Sequence, residues 1–149
     1  MGKYDFIRLE EKEHWMVLMH PDSPLAEKDY VTPEDLAEVP LIMPYRLGVQ
    51  SELASWFGES YDKLHIIFTS NLPSSSMFMA YEKLGYALVI SGVAAFLDKE
   101  KLVCRPLKPG LKATCVLAWK RGLPFGAAAE KFISCLRETF PGGKNEESI

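Results

Sequence analysis

Apolar residues fall in short runs along this chain, and the spacing inside each run predicts an element. Phe6 to Leu9 predicts a strand, which the charged run Glu10-Glu11-Lys12-Glu13 is expected to end in a solvated turn. His14 to Met19 predicts a buried strand, and Pro21 and Pro24 forbid regular structure just beyond it. Thr32 is placed to cap a short helix, with Pro33 at its first position and Asp35 three residues after the cap. Pro40 closes that helix near Glu38, and Leu41-Ile42-Met43 predicts a strand stopped by Pro44.

The next segments alternate in kind. Val49, Leu53, Trp56 and Phe57 share one helical face, and Gly58 fits the helix end. Leu64 to Thr69 predicts a strand. Ser70-Asn71-Leu72-Pro73 then opens a helix with Met77, Phe78, Tyr81 and Leu84 on one side, and Gly85 is expected to end it. Tyr86 to Ile90 is apolar throughout, as in a strand covered on both faces. Lys101 to Leu107 and Lys112 to Trp119 predict two more strands, joined through Lys108-Pro109-Gly110. Pro124 is expected to open a last helix with a buried stripe of Phe125, Ala128, Phe132, Ile133 and Leu136. Pro141-Gly142-Gly143 would end it, leaving Lys144 to Ile149 as a polar, disordered tail. Strand, helix, strand, helix, strand through the middle argues for parallel crossover units in an α/β sheet.

Composition narrows the function classes. The chain has 149 residues, 48% of them apolar, enough to bury a core in one compact unit or two small lobes. No run approaches the roughly 18 apolar residues of a membrane span, and the first residues lack the apolar stretch of a signal peptide. A cytoplasmic protein without membrane attachment is expected. The net charge is -3, and the 17 Lys and Arg are scattered, so the basic stripe of a nucleic-acid surface is missing. Cys104, Cys115 and Cys135 are odd in number and form no ligand set, and the first two sit in apolar runs as small hydrophobes. His14, His20 and His65 lack ligand spacing, and GxSxG, GxxxxGK[ST] and HExxH do not occur. No catalytic residue, metal or cofactor is expected.

What remains is a set of strand-to-helix junctions, Met43-Pro44-Tyr45-Arg46 and Thr69-Ser70-Asn71. The carboxyl ends of parallel strands are the usual ligand crevice of an open α/β sheet. Helix starts there offer free N–H groups suited to an anion, and Ser70, Asn71 and Ser74 add side-chain donors. The same residues serve equally well as plain helix caps.

In order and spacing the motifs resemble the effector-binding domain of LysR-type transcriptional regulators. The resemblance runs through Ser23-Pro24-Leu25-Ala26, Val31-Thr32-Pro33-Glu34-Asp35-Leu36 and Pro40-Leu41-Ile42. It continues in Thr69-Ser70-Asn71, Met77 to Leu84, Gly85-Tyr86-Ala87-Leu88-Val89-Ile90, Leu102-Val103, Trp119-Lys120-Arg121 and Phe132-Ile133, covering about residues 4 to 139. The family often has glycine at Ala87 and proline at Ser91, which this chain lacks. Its winged helix-turn-helix, linker helix and first half of lobe one are also missing.

The resemblance implies an α/β fold of the type II periplasmic-binding-protein kind, with one complete Rossmann-like lobe and part of a second joined by two crossover strands. Residues 1–20 would hold part of lobe one and the outgoing hinge strand, and 21–110 lobe two. Residues 111–140 would hold the returning strand and the C-terminal helix, and 141–149 a tail. It implies a small-molecule effector bound in the cleft between lobes, with Tyr45, Arg46, Ser70 and Asn71 as ligand-binding residues. Arg46 would pair with a carboxylate, or is simply a surface arginine. A homo-oligomer, dimer or tetramer, would contact DNA only through a domain absent from this chain. Two alternatives share the bilobal fold: a solute-binding protein of a transport system, and an enzyme.

Overall fold

The structure is a computed structural model, and residues 3–140 are described. The expected helix end at Pro141-Gly142-Gly143 and the expected tail lie outside the described residues. Among the described residues, six strands and four α-helices follow in chain order: β1 (Tyr4–Met19), α1 (Pro33–Ala37), β2 (Pro40–Pro44), α2 (Leu47–Phe57), β3 (His65–Ser70), α3 (Pro73–Tyr81), β4 (Tyr86–Ile90), β5 (Val103–Pro106), β6 (Lys112–Lys120) and α4 (Ala127–Thr139). The chain divides into two compact units, His14–Lys112 and the remainder.

In the larger unit the strand order is β3-β2-β4-β1-β5. β2 lies parallel to β3 and β4, whereas β1 runs antiparallel to β4 and β5. The sheet is therefore mixed, with the parallel crossover units that the alternating order predicts along one side, β3-β2-β4. Successive side chains of a strand point to opposite faces. Ile42 thus joins Leu18, Ala87 and Val89 in one cluster with Ala80 of α3, while Leu41 and Met43, also fully buried, face the other way. Leu36, Leu53 and Phe57 add the buried residues of α1 and α2.

Local chemistry explains where these elements begin and end. At α1 the Thr32 hydroxyl accepts from the Asp35 N–H at 3.4 Å, and the Asp35 carboxylate accepts from the Thr32 N–H at 3.1 Å. This is the reciprocal cap that Thr32 and Asp35 predict. Gly58 ends α2 at φ +53, where a side chain would be strained. At the end of α3 the left-handed residue is Lys83, at φ 59, rather than Gly85. Gly85 answers a different need: a Cβ there would lie 2.8 Å from the Pro40 carbonyl oxygen and 3.1 Å from Ile67 Cδ1.

Three expectations are corrected. Glu10-Glu11-Lys12-Glu13 does not end a strand, because β1 runs unbroken from Tyr4 to Met19 and pairs with β6. Charged residues are poor strand formers alone, but backbone pairing with a neighbour overrides that preference. In α3 the buried residues are Ser76 and Ala80, and Met77 packs half-buried against the core as expected, while Phe78 is 71% exposed and Tyr81 and Leu84 are also exposed. Small residues there let the helix approach the sheet closely.

In the smaller unit α4 begins at Ala127, not at Pro124, and buries none of its residues. Phe125, Ile133 and Leu136 are half-buried, and Ala128 and Phe132 are exposed. The unit's described residues offer that stripe only β6 and the first half of β1 to pack on. Arg121 ties its ends together, donating to Asp5 Oδ1 at 2.7 and 2.9 Å, with its N–H on the Lys3 carbonyl.

Candidate functional site

The carboxyl ends of β2 and β3 lie side by side, because Pro44 pairs with Ser70 in the parallel register. The Tyr45 N–H donates to the Ser70 carbonyl at 2.9 Å, extending that pairing past the end of β2. Two of the expected site residues, Tyr45 and Ser70, are thus brought together by backbone geometry. Arg46 follows as the N-cap residue of α2, and Asn71 follows Ser70 before α3; both are exposed. The neighbouring β4 ends at Ile90, placing Ser91 at the same end of the sheet.

The hydroxyl of Ser70 is engaged locally. It donates to the Leu72 carbonyl at 2.9 Å and accepts from the Leu72 N–H at 3.2 Å, which fixes the turn into α3. Ser74 is exposed in the first turn of α3. Neither α2 nor α3 receives a side-chain cap, since their N-cap residues are Arg46 and Leu72. First-turn N–H groups of a helix have no partner within the helix, and the dipole is positive at that end.

Two residues that the sequence reading did not assign to the site shape this region. Gln50 donates from Nε2 to the Pro44 carbonyl at 2.9 Å and to that of Tyr45 at 3.4 Å, pinning the loop that carries Tyr45 and Arg46. Ser91 Oγ accepts from the His14 N–H at 3.0 Å, linking β1 to the segment after β4. Gln50 lies one turn into a helix, six residues after a proline, a position with no distinctive sequence signal. The Ser91 bond spans 77 residues and is invisible without the fold.

Elsewhere the polar groups do structural work. His20 Nδ1 accepts from the Asp22 N–H at 3.1 Å, and Lys83 Nζ reaches Asp22 Oδ2 at 2.7 Å. The hydrogen bond and charge of Lys83, with His20 nearby, hold the Asp22 carboxyl below its usual range. Burial pushes the Cys104 thiol up to about 11 against the opposing charge of Arg105, so it stays protonated and inert at neutral pH. No cluster among the described residues has the His, Cys, Asp and Glu grouping of a metal centre. No described helix is long and apolar enough to cross a membrane.

Residues 3–141 match the family described as the LysR substrate binding domain. This chain belongs to that family. Its mixed α/β fold is that of LysR effector-binding domains, of the type II periplasmic-binding-protein-like kind. Among solved structures it is similar to HinK, a LysR family transcriptional regulator from Pseudomonas aeruginosa, at 18% identity and a TM-score of 0.68. That match covers 93% of this chain and 49% of HinK, so the LysR domain described here spans about half the regulator's length.

The effector binding domain of QuiR, solved with shikimate, matches at 16% identity and TM-score 0.76, covering 96% of this chain and 68% of that one. The CcmR regulatory domain of Synechocystis PCC6803, solved with 2-PG, matches at 13% identity and TM-score 0.75, covering 93% and 68%. At these identities the likeness speaks to fold alone. A search of curated protein sequences returns no match.

Proposed function

We propose that this LysR substrate-binding domain senses a small-molecule effector for a cytoplasmic transcriptional regulator, and that it is not an enzyme. In this reading residues 21–110 form lobe two, and the segments around 14–19 and 112–119 are crossover strands to the rest of the protein. The effector sits against the carboxyl ends of β2 and β3, with Tyr45, Arg46, Ser70 and Asn71 as its contacts. The carrying observation is the junction itself: two parallel strand ends are held in register by the Tyr45–Ser70 bond, and both helix starts there lack a side-chain cap. Exposed Arg46 supplies the charge for an anionic effector such as a carboxylate. QuiR with shikimate and CcmR with 2-PG support a small-molecule ligand in this fold.

The regulator works as a homo-oligomer and contacts DNA through a separate domain. Binding shifts the protein between arrangements only by the difference in effector affinity for them. A thermal-shift screen of small organic acids tests the site. A ligand at a hundred times its Kd stabilises the domain by about 2.7 kcal/mol. Arg46→Ala is expected to weaken binding by roughly tenfold or more, the worth of a charge-assisted hydrogen bond, and Asn71→Ala by less. Stabilisation unchanged in both variants places the effector elsewhere.

A further inference from the structure

Residues of β6, of α4 and of the loop between them line a cavity of about 240 Å³ that lies wholly within the smaller unit. Its apolar lining is Trp119 near the end of β6, Phe125 in the loop and Ile133 of α4, all half-buried. Its polar lining is Glu130, Ser134 and Arg137, all exposed. Steps of four and three residues keep those three on one face of the helix. An acid and a base therefore stand at the two ends of an apolar hollow, with a hydroxyl between them.

The two charges do not answer each other. Neither Glu130 nor Arg137 forms an ion pair among the described residues. Arg137 is nevertheless held in place, with its guanidinium carbon 5.6 Å from the centre of the Trp119 ring. Such a cation–π contact leaves the in-plane N–H groups open to a carboxylate. The helix dipole favours an acid in the first turn and a base in the last, as found here. It gives no reason for both to line one cavity beside an indole. Apolar lining in open contact with water costs free energy that a covering molecule recovers. The volume lies below the ~300–1,000 Å³ of pockets for drug-sized ligands, which limits the occupant to something smaller.

We infer that this cavity is a second small-molecule site, separate from the crevice at β2 and β3, for an amino acid with an apolar side chain. The ligand's carboxylate pairs with Arg137, its ammonium with Glu130, and its side chain covers Trp119, Phe125 and Ile133. A rise of about 1.5 Å per residue sets the Glu130 and Arg137 backbones about 10 Å apart, a span that two long side chains and a compact zwitterion fill together. An acid or an amine alone leaves one of the two charges unmet. Glycine meets both and leaves the apolar lining wet.

Four ligands separate the contacts: leucine, glycine, isocaproate (leucine without its ammonium) and isoamylamine (leucine without its carboxylate). Each is titrated into the 149-residue chain at constant pH and ionic strength and followed by calorimetry. Leucine is expected to bind about tenfold or more tightly than isocaproate or isoamylamine, the worth of a charge-assisted hydrogen bond. Glycine, without the apolar contact, is expected to be weaker than leucine by about tenfold or more. Glu130→Gln weakens leucine and isoamylamine and leaves isocaproate unchanged. Arg137→Gln weakens leucine and isocaproate and leaves isoamylamine unchanged. Lys131→Gln, exposed on the same helix but outside the cavity, changes none of them. Leucine also shifts the tryptophan emission of the native chain, and Trp119→Phe removes that shift while keeping an aromatic lining.

Leucine that binds no better than isocaproate, or no better than glycine, overturns the inference. Leucine affinity unchanged in both Glu130→Gln and Arg137→Gln overturns it too, because the binding then lies elsewhere. No heat and no change of emission at millimolar leucine overturns it outright. The comparison of ligands on the native chain needs no variant, so it decides the question whatever a substitution does to α4.

Discussion

At the scale of single residues, the consequences of substitution follow from what each side chain touches. Gly85→Ala drives a Cβ to 2.8 Å from the Pro40 backbone oxygen, which cannot swing aside like a side chain. A loss of about 1–3 kcal/mol is expected in urea unfolding, the usual cost of overpacking. Trp15 gives the opposite case. Its indole N–H is buried without a hydrogen-bond partner among the described residues. Trp15→Phe keeps the aromatic packing and removes an unpaired donor, so stability should change by less than about 1 kcal/mol, or rise. A large loss in the same unfolding experiment would show that the indole N–H is satisfied in solution.

Asp35 carries a pH dependence. Burial works to raise its pKa, but the Lys28 ammonium at 2.6 Å, the Thr32 N–H and the Thr32 hydroxyl together outweigh burial and lower it from 3.8. A carboxyl with a depressed folded pKa stabilises the fold above its unfolded value, and that contribution is lost as pH falls through the folded value. Stability measured below pH 4 should therefore decline less steeply in Asp35→Asn than in the native chain. Parallel curves would mean that the ion pair with Lys28 does not persist in solution.

At the scale of elements, the short helices depend on their ends and the longer ones on their faces. α1 has five residues, too few to hold itself together, and its cap supplies much of its definition. Thr32→Ala should cost about 1 kcal/mol. α2 is held by its face, since Leu53 is fully buried. Leu53→Ala should cost about 2–5 kcal/mol, depending on how far the surrounding core collapses. Equal costs at the two positions, measured by chemical denaturation, would contradict this division of labour.

At the scale of the whole molecule, stability is unevenly distributed. The larger unit holds the fully buried strands, including Leu41, Ile42 and Met43 of β2 and Ala87 of β4, whereas α4 in the smaller unit buries nothing. Local opening is easiest where few apolar groups are buried. Amide hydrogen exchange should show β2 and β4 as the slowest segments and α4 exchanging much faster. Protection of α4 equal to that of β2 would mean that its apolar stripe is covered in solution.

The sequence by itself determined the elements whose signals are local. Thr32, Pro33 and Asp35 spell out a cap within four residues, Gly58 marks the end of α2, and the alternation of strands and helices fixes a parallel core. The resemblance to LysR effector domains was readable for the same reason, because its motifs are short turns in a fixed order. The proposed site was legible only as a location: Tyr45, Arg46, Ser70 and Asn71 follow strand ends that any α/β reading places together.

Tertiary structure decided what depends on partners distant in sequence. Pairing with β6 carried β1 through Glu10-Glu11-Lys12-Glu13, and close approach to the sheet buried Ser76 and Ala80 rather than Phe78. Gly85 lies where a Cβ would crowd the Pro40 carbonyl, a close approach rather than a turn. Periodicity reports which side chains share a face, but only packing settles whether that face meets protein or water, because burial belongs to the pair of surfaces and not to either one.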